Sequence, residues 1–254
     1  MNQPGDHPYV GAPDAVLGGR RPVGSGLRRI ASLLPSATEM LCAIGAGDQL
    51  VATSHECDWP ESVRQSATPV VTVAKTAGLA MDRIDAEVRR LVHNGESLYT
   101  LDSDKLQVAR PDVILTQDLC KVCSIDRESV QRAVKALTDS RGEPVEIVSL
   151  DAVTLEGVLD DVARVGVAAG RVVEARAVVT ALRERLYSLG EYVNMFADGP
   201  SVAFLEWTEP LYVAGHWTPQ LIERAGGRHV LNATVPIEGS GAAAGPIGAT
   251  ERTC

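Results

Sequence analysis

Residues 154–193 read TLEGVLDDVARVGVAAGRVVEARAVVTALRERLYSLGEYV. Leu155, Val158, Leu159, Val162, Val165, Ala169, Val172, Val173, Leu182, Leu186 and Leu189 recur at helical spacing, which gives the segment one apolar face. No proline interrupts it. Read as one helix, it is two to three times the usual length. At ~1.5 Å per residue it extends more than ~50 Å, farther than one small domain is wide. A strict heptad is not kept, which disfavours a coiled-coil dimer. The expectation is a rigid strut joining two lobes.

Upstream of the strut, IASLL reads as a short buried strand. SATEMLCAIGA follows as a helix, with Ser36 as N-cap and Glu39 at the third position in a capping box, and Gly45 and Gly47 end it. Further strands are expected at LVATS (50–54), PVVTV (69–73), DVILT (112–116), VEIVSL (145–150) and VAFLEW (202–207), with helices near 82–93, 103–110, 124–139 and 217–226. The strands are apolar runs rather than alternating ones, so the fold class is α/β with mainly parallel sheets. Ligand-facing residues then lie just past the carboxyl ends of the strands.

The expected organisation is a leader over 1–27, an α/β lobe over 28–152, a bridging helix over 153–193 and a partial second lobe over 194–254. Residues 1–27 hold six Gly and four Pro with no apolar period. The last twenty residues have likewise lost periodicity. One strand and one helix cannot bury a core of their own, so the second lobe is expected to be incomplete or to lean on the first.

Charge excludes some functions. The 254 residues carry a net charge of −9 with no run of Lys or Arg longer than two. Nucleic acid and anionic membrane surfaces both need a clustered basic face. No apolar stretch reaches the ~18–20 residues of a spanning helix. The cysteine count is odd, five in all, which suits thiols kept reduced in a cytoplasm better than a disulfide framework. Arg28-Arg29 precedes an apolar run, but Pro35 and Glu39 interrupt it, and Leu41 precedes Cys42 where a cleavage site needs a small residue. The expected location is therefore the cytoplasm, and the expected state a monomer.

No nucleophile–base set, phosphate loop or carboxylate pair stands out, and Gly45-x-Gly47 ends a helix rather than opening one. The chain reads as a binding protein without catalytic residues, cofactor or metal. QDLCKVC (117–123) leaves three alternatives open. It can be a redox pair, it can join His55 and Cys57 in a zinc site through Cys120 and Cys123, or it can form a polar pocket rim through Gln117 and Asp118. The rim is the favoured reading. A thiol, zinc or redox protein using Cys57, Cys120 and Cys123 is the alternative function.

Three stretches in order, RRIASLLPSATEMLCAIGAGDQLVATSHECDWP, LYTLDSDKLQVARPDVILTQDLCKVC and FLEWTEPLYVAGHWTPQLIERAGG, resemble the substrate-binding proteins of vitamin B12 and iron-siderophore ABC importers. The H-E-C-D and D-L-C-x-V-C elements are most similar to the cobalamin-binding branch, and the likeness covers roughly residues 28–232. It implies two α/β lobes bridged by one long helix, a corrinoid such as cobalamin held non-covalently in the cleft, and an ABC permease as partner. It also implies a ligand-facing role for Trp59 and Trp207; Pro35, Ser36, Gln117 and Asp118, by their place at strand ends, and Glu206, His216 and Trp217, around the strand end and helix start of the second lobe, are the other cleft candidates. Asp104 matches an exposed acid that docks on the transporter. Exported members of the family carry a leader or lipid anchor and continue further past residue 238. The resemblance thus adds an extracytoplasmic location as the alternative to the cytoplasmic one.

Overall fold

The sheet is built outward from IAS. A computed structural model of the protein describes residues 27–117, 127–194, 196–208, 211–233 and 245–246. In chain order the elements of the first lobe are β1 (Ile30–Ser32), α1 (Pro35–Ala43), β2 (Leu50–Thr53), α2 (Glu61–Arg64), β3 (Thr72–Ala74), α3 (Met81–His93), β4 (Tyr99–Leu101), α4 (Ser103–Ala109), β5 (Val113–Thr116), α5 (Arg127–Arg141) and β6 (Glu146–Ser149). The strands β2-β1-β5-β6 pair in that order, all parallel. The strands expected at 50–54, 112–116 and 145–150 are present.

Period-two alternation sends the apolar side chains of these strands to both faces. Ile30, Val113 and Leu115 join Ala37 and Leu41 of α1 in one core layer. Ala31, Ala52 and Ile114 join Leu106 of α4 and Val130, Ala133 and Leu137 of α5 in the other. The sheet is therefore covered twice, as buried parallel strands require. The strand expected at 69–73 behaves differently: β3 pairs antiparallel with β4 in a separate ribbon. An isolated parallel bridge, Thr53 to Val70, ties that stretch to the main sheet.

The strut is not one helix. The segment folds as α6 (Leu155–Ala168) and α7 (Val172–Ser188). Gly170 takes φ +67°, its N–H donates to Val167 O, and the next N–H, of Arg171, donates to Gly166 O at 2.7 Å. That pair of bonds closes a helix on a left-handed glycine. The chain then folds back. Arg183 of α7 pairs with Glu156 at the start of α6, and Ala175 packs on Gly166. The apolar face continues through the break because both helices cover the same core: Leu159, Val162 and Val165 of one and Ala175 and Val179 of the other.

The second lobe holds β7 (Ser201–Val202), β8 (Leu205–Thr208), β9 (Leu211–Val213), α8 (Thr218–Arg224), β10 (Arg228–His229) and β11 (Gly245–Pro246). The strand expected at 202–207 is split. Its first part pairs parallel with β10, while the rest turns into an antiparallel sheet β11-β9-β8. All four residues of β8 are exposed, so this sheet has little core of its own. It leans on the first lobe through α8, which packs against α6, and Gln220 Oε1 accepts the Leu155 N–H at 2.5 Å. Gln220 thereby satisfies one of the open donors at the start of α6.

Candidate functional site

In an open parallel sheet, ligands sit where successive connections leave the carboxyl ends toward opposite faces. Here that point lies between β1 and β5. The helix after β1 covers one face and the helix after β5 covers the other. Pro35 and Gln117 are the half-buried residues at the two ends, and Ser36 is exposed beside Pro35. Asp118, Cys120 and Cys123 lie outside the described residues.

The capping expected at this point is different. The N-cap is Leu34, Pro35 occupies the first turn, and no side chain caps the helix. Proline has no N–H to satisfy and its fixed φ suits the first helical position, which moves the start back by two residues. Ser36 is then inside the helix and Glu39 no longer sits opposite the cap. Thr38 takes the structural role instead: its Oγ1 donates among Ser32 Oγ at 2.8 Å, Leu34 O at 3.4 Å and Cys57 Sγ at 3.1 Å.

A second feature becomes visible only in three dimensions. The parallel strands end in Ser32, Thr53, Thr116 and Ser149, so the sheet carries a row of hydroxyls along its carboxyl edge. Next to this row, the loop after β2 carries Ser54, His55, Glu56, Cys57, Asp58 and Trp59. His55 is exposed, but its ring is held: Nδ1 lies 2.6 Å from Thr72 Oγ1, and the ring leans on Tyr99 at 5.4 Å and 56°. The Tyr99 hydroxyl donates to Glu56 Oε1 at 2.9 Å. Tyr99 lies on β4, a strand the sequence reading missed because YTL is only three residues long. Trp59 is 51% exposed at the end of the loop, so it is not packed away under its own turn.

Charge and thiol chemistry at this rim are set by burial. Desolvation, and then the nearby Asp58 carboxylate, raise the Glu39 pKa above the ordinary carboxylate value. Burial, then Glu39 and Cys57, push the Cys42 thiol up to about 11. Cys57 is raised as well, by burial first, against the hydrogen bond from Thr38. Both are free thiols, and the raised pKa of each favours the neutral form. His55 is tied to Thr72 of β3 and Cys57 to Thr38 of α1, so these two expected zinc ligands have different structural partners. Among the described residues no three His, Cys, Asp or Glu side chains cluster for a metal.

The second lobe supplies the other aromatic groups. Trp207 on β8 is 40% exposed and its Nε1 donates to Asp85 Oδ1 on α3 at 3.1 Å, a side-chain bridge from that strand to the first lobe. Met81, one helical turn before Asp85, is 89% exposed and lies on the same face of α3. Asp85 was not foreseen; nothing in a periodic amphipathic helix marks one acid among several. Glu206 is exposed beside Trp207. His216 takes φ +52° and its ring lies 5.9 Å from that of Trp217, which is the N-cap of α8. Both are half-buried.

Asp104 is exposed in the first turn of α4, whose cap is Asp102 accepting from Lys105 N. A separate cleft of about 340 Å³ lies where the lobes join, lined by Leu155, Glu156, Leu186, Gln220, Glu223 and Arg224. It is at the small end for a ligand site and holds none of the aromatic rim residues. The strand-end rim with its flanking tryptophans is the better candidate.

No family model matches the chain. It is 27% identical over 212 residues to a vitamin B12-binding protein of Photorhabdus laumondii, a match covering 82% of this chain and 63% of that relative's length. Among solved structures, a possible iron-binding (periplasmic solute-binding) protein of Staphylococcus epidermidis superposes with a TM-score of 0.58 at 21% identity, over 80% of this chain and 67% of the other. The periplasmic vitamin B12-binding protein of Vibrio cholerae gives 0.53 at 20%, over 79% and 65%. A periplasmic heme-binding protein of Pseudomonas aeruginosa gives 0.55 at 19%, over 80% and 62%. The α/β architecture read from the sequence is thus the fold of these binding proteins.

Proposed function

We propose that this chain, which by sequence and fold is of the type of the substrate-binding proteins of vitamin B12 and iron-siderophore importers, captures a corrinoid such as cobalamin reversibly, without catalysis, for an ABC-type uptake system. The observation that carries the reading is the placement of exposed tryptophans in both lobes, Trp59 beside the strand-end rim and Trp207 on a strand tied to α3. A large flat macrocycle is well served by aromatic faces, which supply area at low entropic cost. Gln117, Pro35 and Ser36 at the switch point, and Glu206, His216 and Trp217 opposite, provide the polar groups and walls of the cleft.

The relatives named for heme and for iron make those the competing ligands. The extracytoplasmic location is favoured over the cytoplasmic one, because the solved relatives are periplasmic proteins. Among the described residues no helix is long and apolar enough to cross a membrane. Exposed Asp104 is proposed to dock on the permease.

The test is a tryptophan-fluorescence titration of the reduced, full-length chain with cyanocobalamin, corrected for ligand absorption. Saturable one-to-one quenching is expected. Trp59→Ala and Trp207→Ala should each weaken it by about tenfold, the equivalent of ~1.4 kcal/mol for one lost aromatic face. A folded chain that shows no saturable quenching with cobalamin, hemin or a ferric siderophore overturns the proposal.

A further inference from the structure

We infer that His55 coordinates the cobalt of the bound corrinoid through Nε2, as an axial ligand. The inference deepens the proposed function and rests on it. Four observations carry it. His55 is exposed at the carboxyl edge of the sheet, on the loop that ends in Trp59. Its ring orientation is fixed on the far side: Nδ1 is 2.6 Å from Thr72 Oγ1, and the ring leans on Tyr99, whose own hydroxyl is anchored on Glu56. No hydrogen bond among the described residues engages Nε2. An imidazole held through one nitrogen with the other turned outward is the arrangement in which a histidine binds metal, because the held nitrogen fixes both tautomer and direction.

The hydroxyls behind the ring can supply the required tautomer. Thr72 Oγ1 accepts from His55 N at 2.9 Å and shares one hydrogen with Ser54 Oγ at 3.0 Å. When that hydrogen points to Ser54, Thr72 can accept from Nδ1–H, and the Nε2 lone pair is then free to coordinate. Rotation of hydroxyls alone reaches this state.

The same site argues against a bare ion. Zinc needs three or four protein donors, and among the described residues His55 stands in no group of three metal-binding side chains. One imidazole suits a metal that already has its equatorial donors and one exchangeable axial position. The step is a ligand exchange: the Nε2 lone pair bonds to the metal and a metal-bound water leaves. No electron is transferred and no proton is released.

Visible absorption and fluorescence of the full chain separate the possibilities, with aquocobalamin as the exchangeable probe and cyanocobalamin as the axially blocked one. Aquocobalamin should quench fluorescence and shift its visible bands; cyanocobalamin should quench without a shift. His55→Ala should abolish the shift, weaken aquocobalamin at least ~tenfold and leave cyanocobalamin nearly unchanged, and added imidazole should restore the shift. His55→Gln, which keeps a partner for Thr72, should behave like the alanine variant and guards against a folding artefact. Thr72→Val should keep the shift but weaken it, as a positioning change does. Quenching without a shift in the unmodified protein, or a shift that survives His55→Ala, overturns the inference and leaves the proposed function standing. One-to-one binding of zinc alone that depends on His55 also overturns it. Absence of quenching by either probe from the folded chain overturns both.

Discussion

Gly166 and Gly170 decide between a strut and a hairpin by the sign of a stability change. In one continuous helix both are interior glycines, and Gly→Ala at either should stabilise by about 0.5–1 kcal/mol. The structure predicts the reverse. A Cβ on Gly166 would sit 2.2 Å from the Ala175 Cβ and 3.2 Å from the Arg171 carbonyl oxygen, where two methyls need nearly 4 Å. Forcing α7 away from α6 is an overpacking change of about 1–3 kcal/mol, which outweighs the gain in helix propensity. At Gly170 nothing lies within 4 Å, so the cost is conformational: φ +67° opposes any side chain by about 1 kcal/mol. For a chain of this size each kcal/mol moves the thermal midpoint by about 2–4 °C. Circular-dichroism melts and urea titrations should therefore place both variants below the parent, Gly166→Ala lower by about 2–6 °C. Adding Ala175→Gly to Gly166→Ala removes the clashing methyl and should recover part of the loss, a coupling expected only if the two helices touch. A higher midpoint for either single variant would refute the hairpin.

Three further outcomes follow from the rim and the lobe contacts. Cys42, at about 11, should hold roughly a hundredth of the thiolate of an ordinary cysteine near pH 8; mass-mapped alkylation should leave it unmodified in the native chain and label it in urea, and fast native labelling would contradict the burial. Glu39 has a raised folded pKa, so its contribution is intact below the unfolded value near 4.5 and is lost as pH rises through the folded one. Glu39→Gln should then be more stable than the parent at pH 7 and equal to it at pH 4, and equality at both would remove the desolvation argument. Asp85→Ala removes the carboxylate that Trp207 Nε1 donates to; the bond is exposed, so global stability should fall by less than about 1 kcal/mol, while proteolysis between residues 194 and 217 should accelerate. Unchanged cleavage rates would show that the bond does not restrain the second lobe.

What could be read in the sequence divides along a physical line. Apolar runs in parallel strands carry their own signal, because burial on both faces demands it, and IAS, LVAT, VILT and EIVS are all found in the main sheet. Ends are governed by backbone conformation, which one glycine or proline sets against a strong periodic pattern. Gly170 reverses the chain although the apolar face runs on, since α6 and α7 press the same stripe into one core. Pro35 likewise displaced Ser36 from the cap. The site divides in the same way. Trp59 drew notice because a large aromatic off the helical and strand periods has few structural reasons to be there, and Trp207 through the resemblance alone; both are exposed. Thr72, Tyr99 and Asp85 were not legible, because their roles come from sequence-distant neighbours: Tyr99 reaches Glu56 across 43 positions and Trp207 reaches Asp85 across 122. His55 shows why this matters for function. As one residue of H-E-C-D it invited a metal site built with the cysteines beside it. Its hydrogen bond to Thr72 and the burial of Cys57 separate the two, leaving a single oriented imidazole on the rim, which suits a metal that arrives with its own ring of ligands.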